Sequence, residues 1–275
     1  MLVALMSTAV HAAAQISVGL SLEQKHFLPN EQFEVTLTIT NLSGQPLRLG
    51  HIPEWLTFSI EPVEGAHVSE REELKLVQPF ELPSSKVGTR KLDLAPYYDL
   101  SIPGRYRVTA TVYLPDRDER ISSPPVGFEV VRGTRVWEQV VGVPGAPSQT
   151  TRKYIVQQTR LLNQVRLYLR VTDGDESRTV RVHRLGPLVS FGVPDTLVDD
   201  RSRLHLLHQV GSKSFQYFCF DTEGDLLKRE RYEIGQFRPR LQSAPDGTVL
   251  VKGGVKVAIP EPLTLQEKND PGTPR

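Results

Sequence analysis

The chain has 275 residues, 39% of them hydrophobic and 24% charged, with a formal net charge of +1. That composition is too apolar for an intrinsically disordered chain and too balanced for a typical nucleic-acid binder, whose basic residues are more numerous and more clustered. A single cysteine, Cys219, excludes any intrachain disulfide.

The length suggests two domains. Charge divides the same way: Gln15–Gly133 holds 12 Lys/Arg against 16 Asp/Glu, a net −4, and Thr134–Ile259 holds 19 against 13, a net +6. Met1–Ala14 is a short apolar run closed by small residues, with Ala12 and Ala14 in an A-x-A pattern. It resembles a secretory signal peptide, although no Lys or Arg precedes the apolar run. The expectation is export, to a secreted or periplasmic (cell-envelope) location. Nothing downstream approaches 18 consecutive apolar residues, so no transmembrane segment is expected.

From Ile16 the apolar residues recur with period two, the mark of strands with one buried face. Phe33, Val35, Leu37 and Ile39 alternate with Glu34, Thr36, Thr38 and Thr40, and Asn41–Pro46 reads as a turn. Leu47–Leu49 and Phe58–Ile60 read as further strands. Tyr106, Val108, Ala110 and Val112 alternate with arginines and threonines, and Val126–Val130 follows Pro124-Pro125, which fits a strand start. The Pro-rich stretch Gln78–Pro83 reads as an exposed loop.

The stretch Tyr98–Val108 resembles the late-strand region of bacterial immunoglobulin-like domains. There a Pro-Gly turn precedes a tyrosine that opens a core strand, as Pro103-Gly104-Arg105-Tyr106 does here. Gly104-x-Tyr106 matches the tyrosine-corner pattern, in which the phenol hydroxyl returns to nearby backbone. Val108 stands where antibody-type domains carry a cysteine, so the resemblance is to disulfide-free relatives. It covers 15–131 and implies a β-sandwich, without implying a ligand.

Residues 132–151, with Gly142-Val143-Pro144-Gly145-Ala146-Pro147, read as a linker in which Trp137 plugs the domain junction. Residues 152–259 read as a second antiparallel β-rich domain. Val165, Leu167, Leu169 and Val171 and then Val180 and Val182 form a hairpin about a turn at Thr172–Glu176. Leu204–Val210 and Phe215–Phe220 are two more strands, the latter buried on both faces. Asp246-Gly247 marks a last hairpin, followed by Thr248–Lys252 and Gly253-Gly254. Phe220-Asp221-x-x-Gly224 and Pro245–Val251 resemble hairpins of β-propeller blades, but the domain supplies only three blade lengths. A small sandwich and a partial propeller both stay open. Residues 260–275 read as a disordered tail. The fold class is therefore all-β throughout.

Candidate chemistry is sparse. His205 and His208 would share a face on a helix and hold a metal, but on a strand they point to opposite faces. The strand reading leaves one buried histidine and one exposed. Asp173, Asp175 and Glu176 form a hairpin tip without the spacing of a calcium loop. Asp195, Asp199 and Asp200 fall in an expected loop over Val193–Ser202 and are the only carboxylates singled out for a hydrolase. Nucleophile, phosphate-loop, dinucleotide and zinc signatures are absent from the sequence. Cys219, inside an apolar strand, reads as inert. No catalytic residue, metal or cofactor is assigned.

The binding candidates are Arg166, Tyr168, Arg170, Arg181 and His183, which a regular hairpin places on one basic, aromatic face. Guanidinium groups bind carboxylates bidentately, so such a face suits a partner protein or a polysaccharide, with no role for nucleic acid. Lys228-Arg229-Glu230-Arg231 reads as a salt-laced strand edge. The leading functional expectation is a secreted, non-catalytic binding or adhesion module. The alternatives are an inhibitor or accessory subunit of an exported enzyme, with the Gln78–Pro83 loop entering a cleft, and a hydrolase with loop carboxylates.

Overall fold

The computed structural model describes residues 16–259 except positions 66, 148, 162, 163 and 190. The expected leader (1–14) and tail (260–275) lie outside the described residues. The described chain is built from sheets that are antiparallel except for the short β-pair of His26–Phe27 with Glu129–Val130, with two short 3-10 turns, and falls into two compact units. One comprises the residues up to Arg135 together with Arg181–His183, and the other Val136–Val180 with Arg184 onward.

Ten strands build the first unit: β1 (Ile16–Leu22), β2 (His26–Phe27), β3 (Glu34–Asn41), β4 (Leu47–Leu49), β5 (Leu56–Pro62), β6 (Phe80–Leu82), β7 (Lys86–Asp93), β8 (Gly104–Leu114), β9 (Glu119–Ser122) and β10 (Val126–Val130). They form sheets of order β1-β3-β7 and β2-β10-β8-β5, with β9 beside β8, and a small β4-β6 pair. The alternation in β3 is realised residue by residue. Val35, Leu37 and Ile39 are buried while Glu34, Thr36, Thr38 and Thr40 are half-exposed. β8 does the same with Tyr106, Val108, Ala110 and Val112. Both strands feed one core, and each fully buried aliphatic side chain in it contributes about 1.5–3 kcal/mol of transfer free energy. Phe27, Phe33 and Phe128 form an edge-to-face and tilted cluster, with Tyr106 stacked on Phe128 at 5.4 Å.

The Tyr106 hydroxyl donates to the Ile102 carbonyl at 2.6 Å, the tie that Gly104-x-Tyr106 anticipates. Tyr98 makes a second one, to the Phe58 carbonyl at 2.7 Å. The Gln78–Pro83 stretch is not a free loop. Phe80–Leu82 forms β6 and pairs with β4, because Leu82 buries its side chain in the core opposite Leu47.

The second unit holds β11 (Thr134–Gly142, which starts two residues inside the first unit), β12 (Thr151–Leu161), β13 (Gln164–Asp173), β14 (Thr179–Leu188), β15 (Asp195–Val198), β16 (Leu204–Gln209), β17 (Ser214–Phe220), β18 (Leu226–Glu233), β19 (Arg240–Ser243), β20 (Val249–Lys252) and β21 (Val255–Val257). Two sheets run β11-β12-β13-β14 and β15-β16-β17-β18-β21, and β19-β20 is a separate hairpin. Val141, Tyr154, Val156, Leu167, Leu169 and Val171 of the four-stranded sheet share a core with Leu204, Leu206, Phe218 and Phe220 of the five-stranded sheet. That is a sandwich of two meanders, which resolves the choice between sandwich and propeller. The opposite face of the five-stranded sheet carries Leu207, Phe215, Tyr217 and Cys219 and is closed by Leu241 and Val249 of the hairpin.

Two expectations are corrected here. The first half of the stretch expected as a linker is strand β11, because Val136, Trp137, Val140 and Val141 outweigh the glycines and prolines that follow them. Trp137 packs on the core of the second unit. The expected loop over Val193–Ser202 contains strand β15, paired with β16 from Asp195↔Leu207 to Val198↔Leu204.

Candidate binding site on the C-terminal sandwich

The five residues singled out from the sequence do not present one open face. Tyr168 is wholly buried, as are its neighbours Leu167 and Leu169, so both faces of β13 are covered at that point and the alternation rule fails. Arg166 and Arg170 are half-buried. Arg166 Nε donates to Gln164 Oε1 at 3.3 Å, and Arg170 Nε to Thr179 Oγ1 at 3.1 Å. On β14, Arg181 is exposed and His183 half-buried. Arg170, Arg181 and His183 all have further partners.

His205 and His208 sit on β16 and point to opposite faces, as a strand requires, but both are buried, at 4% and 1% exposure. The sheet is covered on both sides, so neither histidine reaches solvent. His208 stacks on Phe218 at 5.9 Å with the rings 8° from parallel, and its ring nitrogens have no hydrogen-bond partner among the described residues. Burial pulls its pKa from 6.5 down to about 4, with the Pro187 carbonyl opposing weakly.

His205 is fully engaged. Nδ1 lies 2.8 Å from the Tyr217 hydroxyl and Nε2 lies 3.1 Å from Asp199 Oδ2. The same oxygen accepts from Arg203 Nε at 2.7 Å, while Asp199 Oδ1 accepts the backbone N–H groups of Arg201 and Arg203. Burial acts to raise the Asp199 pKa, but the hydrogen bonds from Arg203 and His205 outweigh it and hold the carboxyl below its ordinary value. The His205 pKa is lowered by burial against the pull of Asp199. Cys219 Sγ is 4.0 Å from His205 Nε2. A thiol, an imidazole and a carboxylate are therefore together, but the thiol and the carboxylate share one ring nitrogen while Tyr217 holds the other. Nucleophilic catalysis needs them on opposite nitrogens. Burial also pushes the thiol pKa up. This is a buried network that organises the turn from β15 to β16.

Asp195 and the carboxylates of the β13–β14 tip are similarly committed. Asp195 Oδ2 accepts the Leu241 N–H at 2.7 Å. At the β13–β14 tip, Asp173 accepts from Ser177 and Arg178, and Glu176 pairs with Lys153 at 2.8 Å. Among the described residues no group of three or more His, Cys, Asp or Glu is placed to hold a metal ion.

The open site lies elsewhere on the second unit. A cavity of about 550 Å³ opens where the hairpin β19–β20 leaves the five-stranded sheet. Leu207 and Phe215 are its buried apolar wall, and Val193 and Phe237 form its rim, 83% and 66% exposed. Arg238, Arg240 and Lys252 ring the mouth, and all three are exposed. The Arg238 guanidinium carbon lies 5.0 Å from the Phe215 ring centroid, and Nη2 donates to Gln209 Oε1 at 3.2 Å. Gln209 Nε2 donates to the Gly211 and Ser212 carbonyls.

The rim is held by a close backbone crossing. Gly254 N–H donates to the Phe237 carbonyl at 2.8 Å. Gly253 and Gly254 have φ of 77° and 68°, in the left-handed region. A Cβ on Gly254 would stand 2.9 Å from the Glu233 carbonyl oxygen, and one on Gly253 would stand 2.8 Å from that of Arg238.

Arg240 and Lys252 are direct partners in the β19–β20 ladder. Like charges facing each other across a ladder destabilise it. Among the described residues, no carboxylate pairs with Arg238, Arg240 or Lys252. The sequence did carry this signal. From the Asp246-Gly247 turn, counting outward through Ser243↔Val249 brings Arg240 opposite Lys252. Reading only the second strand of that hairpin misses it.

No known protein family matches the chain, and no curated protein matches it either. Among solved structures, one similarity is to Spo0M, a sporulation control protein from Bacillus subtilis, at 9% identity and a TM-score of 0.33, over 62% of this chain and 90% of that one. A likeness that loose carries no argument about fold or function.

Proposed function

We propose that this chain is an exported, non-catalytic binding module. Its C-terminal sandwich engages an acidic partner, a protein or a polysaccharide, at the pocket ringed by Arg238, Arg240 and Lys252. The N-terminal immunoglobulin-like sandwich serves as a spacer. The observation that carries this reading is the face-to-face placement of Arg240 and Lys252 beside Arg238, with no carboxylate partner among the described residues. An uncompensated cation cluster costs stability, and a bound anion offsets that cost. The commitment of Asp195 and Asp199 to structural hydrogen bonds weighs against the hydrolase reading.

The test is binding of the full chain to two acidic probes, poly-glutamate and oligogalacturonate, followed by fluorescence anisotropy at increasing salt. Binding is expected to weaken steeply with ionic strength. Arg240→Gln combined with Lys252→Gln is expected to reduce affinity by about fivefold or more, since each exposed contact contributes a few tenths to 1 kcal/mol. Salt-insensitive binding, or a double variant that binds as well as the native chain, would refute the site.

A further inference from the structure

The pocket has a second property that its charge does not explain. Its wall is mainly hydrocarbon. Leu207, Phe215, Val193 and Phe237 supply the apolar surface. Of the uncharged or acidic polar residues in its lining, His208 turns its ring to the other face of the sheet, and Gln209 and Asp195 are already engaged. Gln209 spends its amide on Gly211, Ser212 and Arg238, and Asp195 accepts from Leu241. A sugar ring pressed against this wall would lose water from its hydroxyls and find few replacement partners away from the charged rim, which is costly. An aromatic or aliphatic side chain loses nothing of the kind and gains from burial. Val193 and Phe237 are large apolar side chains exposed around a concave, cation-ringed opening, the arrangement expected of an anchor pocket.

Resting on the acidic-partner reading above, we infer that the ligand is a protein segment in which one large apolar side chain is flanked by carboxylates. The apolar side chain fills the cavity against Phe215 and Leu207. The flanking carboxylates meet Arg240, Lys252 and Arg238. Arg238 is held in place by its contacts with Phe215 and Gln209, so its remaining N–H groups are oriented before the ligand arrives.

Three probes test this on the full chain by fluorescence anisotropy: labelled Glu-Glu-Phe-Glu-Glu, labelled Glu-Glu-Ser-Glu-Glu, and a galacturonate pentamer. The Phe peptide is expected to bind about tenfold more tightly than the Ser peptide, as burial of one phenyl ring requires. Phe237→Ser is expected to shrink that preference to about twofold with little change for the Ser peptide, and Arg240→Gln to weaken both peptides alike. Equal binding of the two peptides, or tighter binding of galacturonate, overturns the inference and leaves the acidic-partner reading standing. Failure of all three probes to bind overturns both.

Discussion

Three residues apart on β16, His205 and His208 occupy opposite faces of one sheet and meet opposite fates. His205 faces the hairpin side, where Asp199 and Tyr217 satisfy it and Arg203 in turn holds Asp199. His208 faces the interior of the sandwich, where it has a stacked phenyl ring and, beside it, the Pro187 carbonyl. The difference shows where this unit tolerates polarity. The face between the two sheets is a dry core in which an imidazole persists only uncharged. The face toward β19–β20 carries a connected polar network and, at its margin, the cation-ringed pocket.

The sharpest way to break this contrast is Asp199→Ala. It leaves Arg203 and His205 without their shared acceptor, and because Arg203 keeps part of its surface in water the loss is about 2–3 kcal/mol. A lowered midpoint in urea unfolding, with little change in slope, would check it.

Next is Gly254→Ala, which combines left-handed φ with a clash against the Glu233 carbonyl. A loss of about 2–3 kcal/mol is expected, together with weaker ligand binding, because the rim carrying Phe237 shifts.

The third prediction concerns pH. The His208 pKa is about 4 in the folded chain against 6.5 for an unperturbed histidine. The unfolded chain therefore takes up the proton first as pH falls, and stability is lost between pH 6.5 and pH 4. By pH 5 this amounts to roughly 2 kcal/mol at 1.36 kcal/mol per pKa unit. His208→Leu should abolish that part of the acid sensitivity, visible as a flatter profile of unfolding midpoint against pH. Glu230 acts in a lower window. Its burial acts to raise its pKa, but Lys256, Tyr232 and Lys228 hold it down to about 2. Its contribution is present above pH 4.5 and is lost toward pH 2, whatever residue stands at 208.

The smallest effect has the opposite sign. Arg240→Gln relieves the repulsion with Lys252, so the unliganded chain should gain about 0.2–1 kcal/mol while losing affinity. A variant that is more stable and binds less well would be hard to explain if these cations served the fold.

How far the sequence went depended on what lay behind each strand. β3 and β8 have one covered face toward the core, so their alternation could be read directly and the burial followed. β13 is covered on both faces, and a rule that assigns every second residue to water put Tyr168 on the wrong side. The histidine pair fails the same way, since one of the two was expected in water and both are buried. β11 was hidden because its Gly-Pro-rich end drew attention away from the Val-Trp and Val-Val pairs that make it a strand. The pocket was the least legible feature. Its cations lie at 238, 240 and 252, and only the pairing register brings them together. Its apolar wall comes from β16 and β17, whose aromatic and leucine residues look like ordinary core.

The short strand β2 runs parallel to β10, with His26 beside Glu129 and Phe27 beside Val130. A contact between the opening and the close of the first unit spans some hundred residues of intervening chain, and such non-local pairing is slow to form. During synthesis from the amino terminus, β1, β3 and β7 can pair early, but β2 has no partner until β10 emerges. Until then Phe27 and Phe33 lack the Phe128 ring that covers them. A ribosome-bound chain stalled just short of Val126 is thus expected to expose this aromatic cluster to chaperones, and one extended past Val130 is expected to hide it.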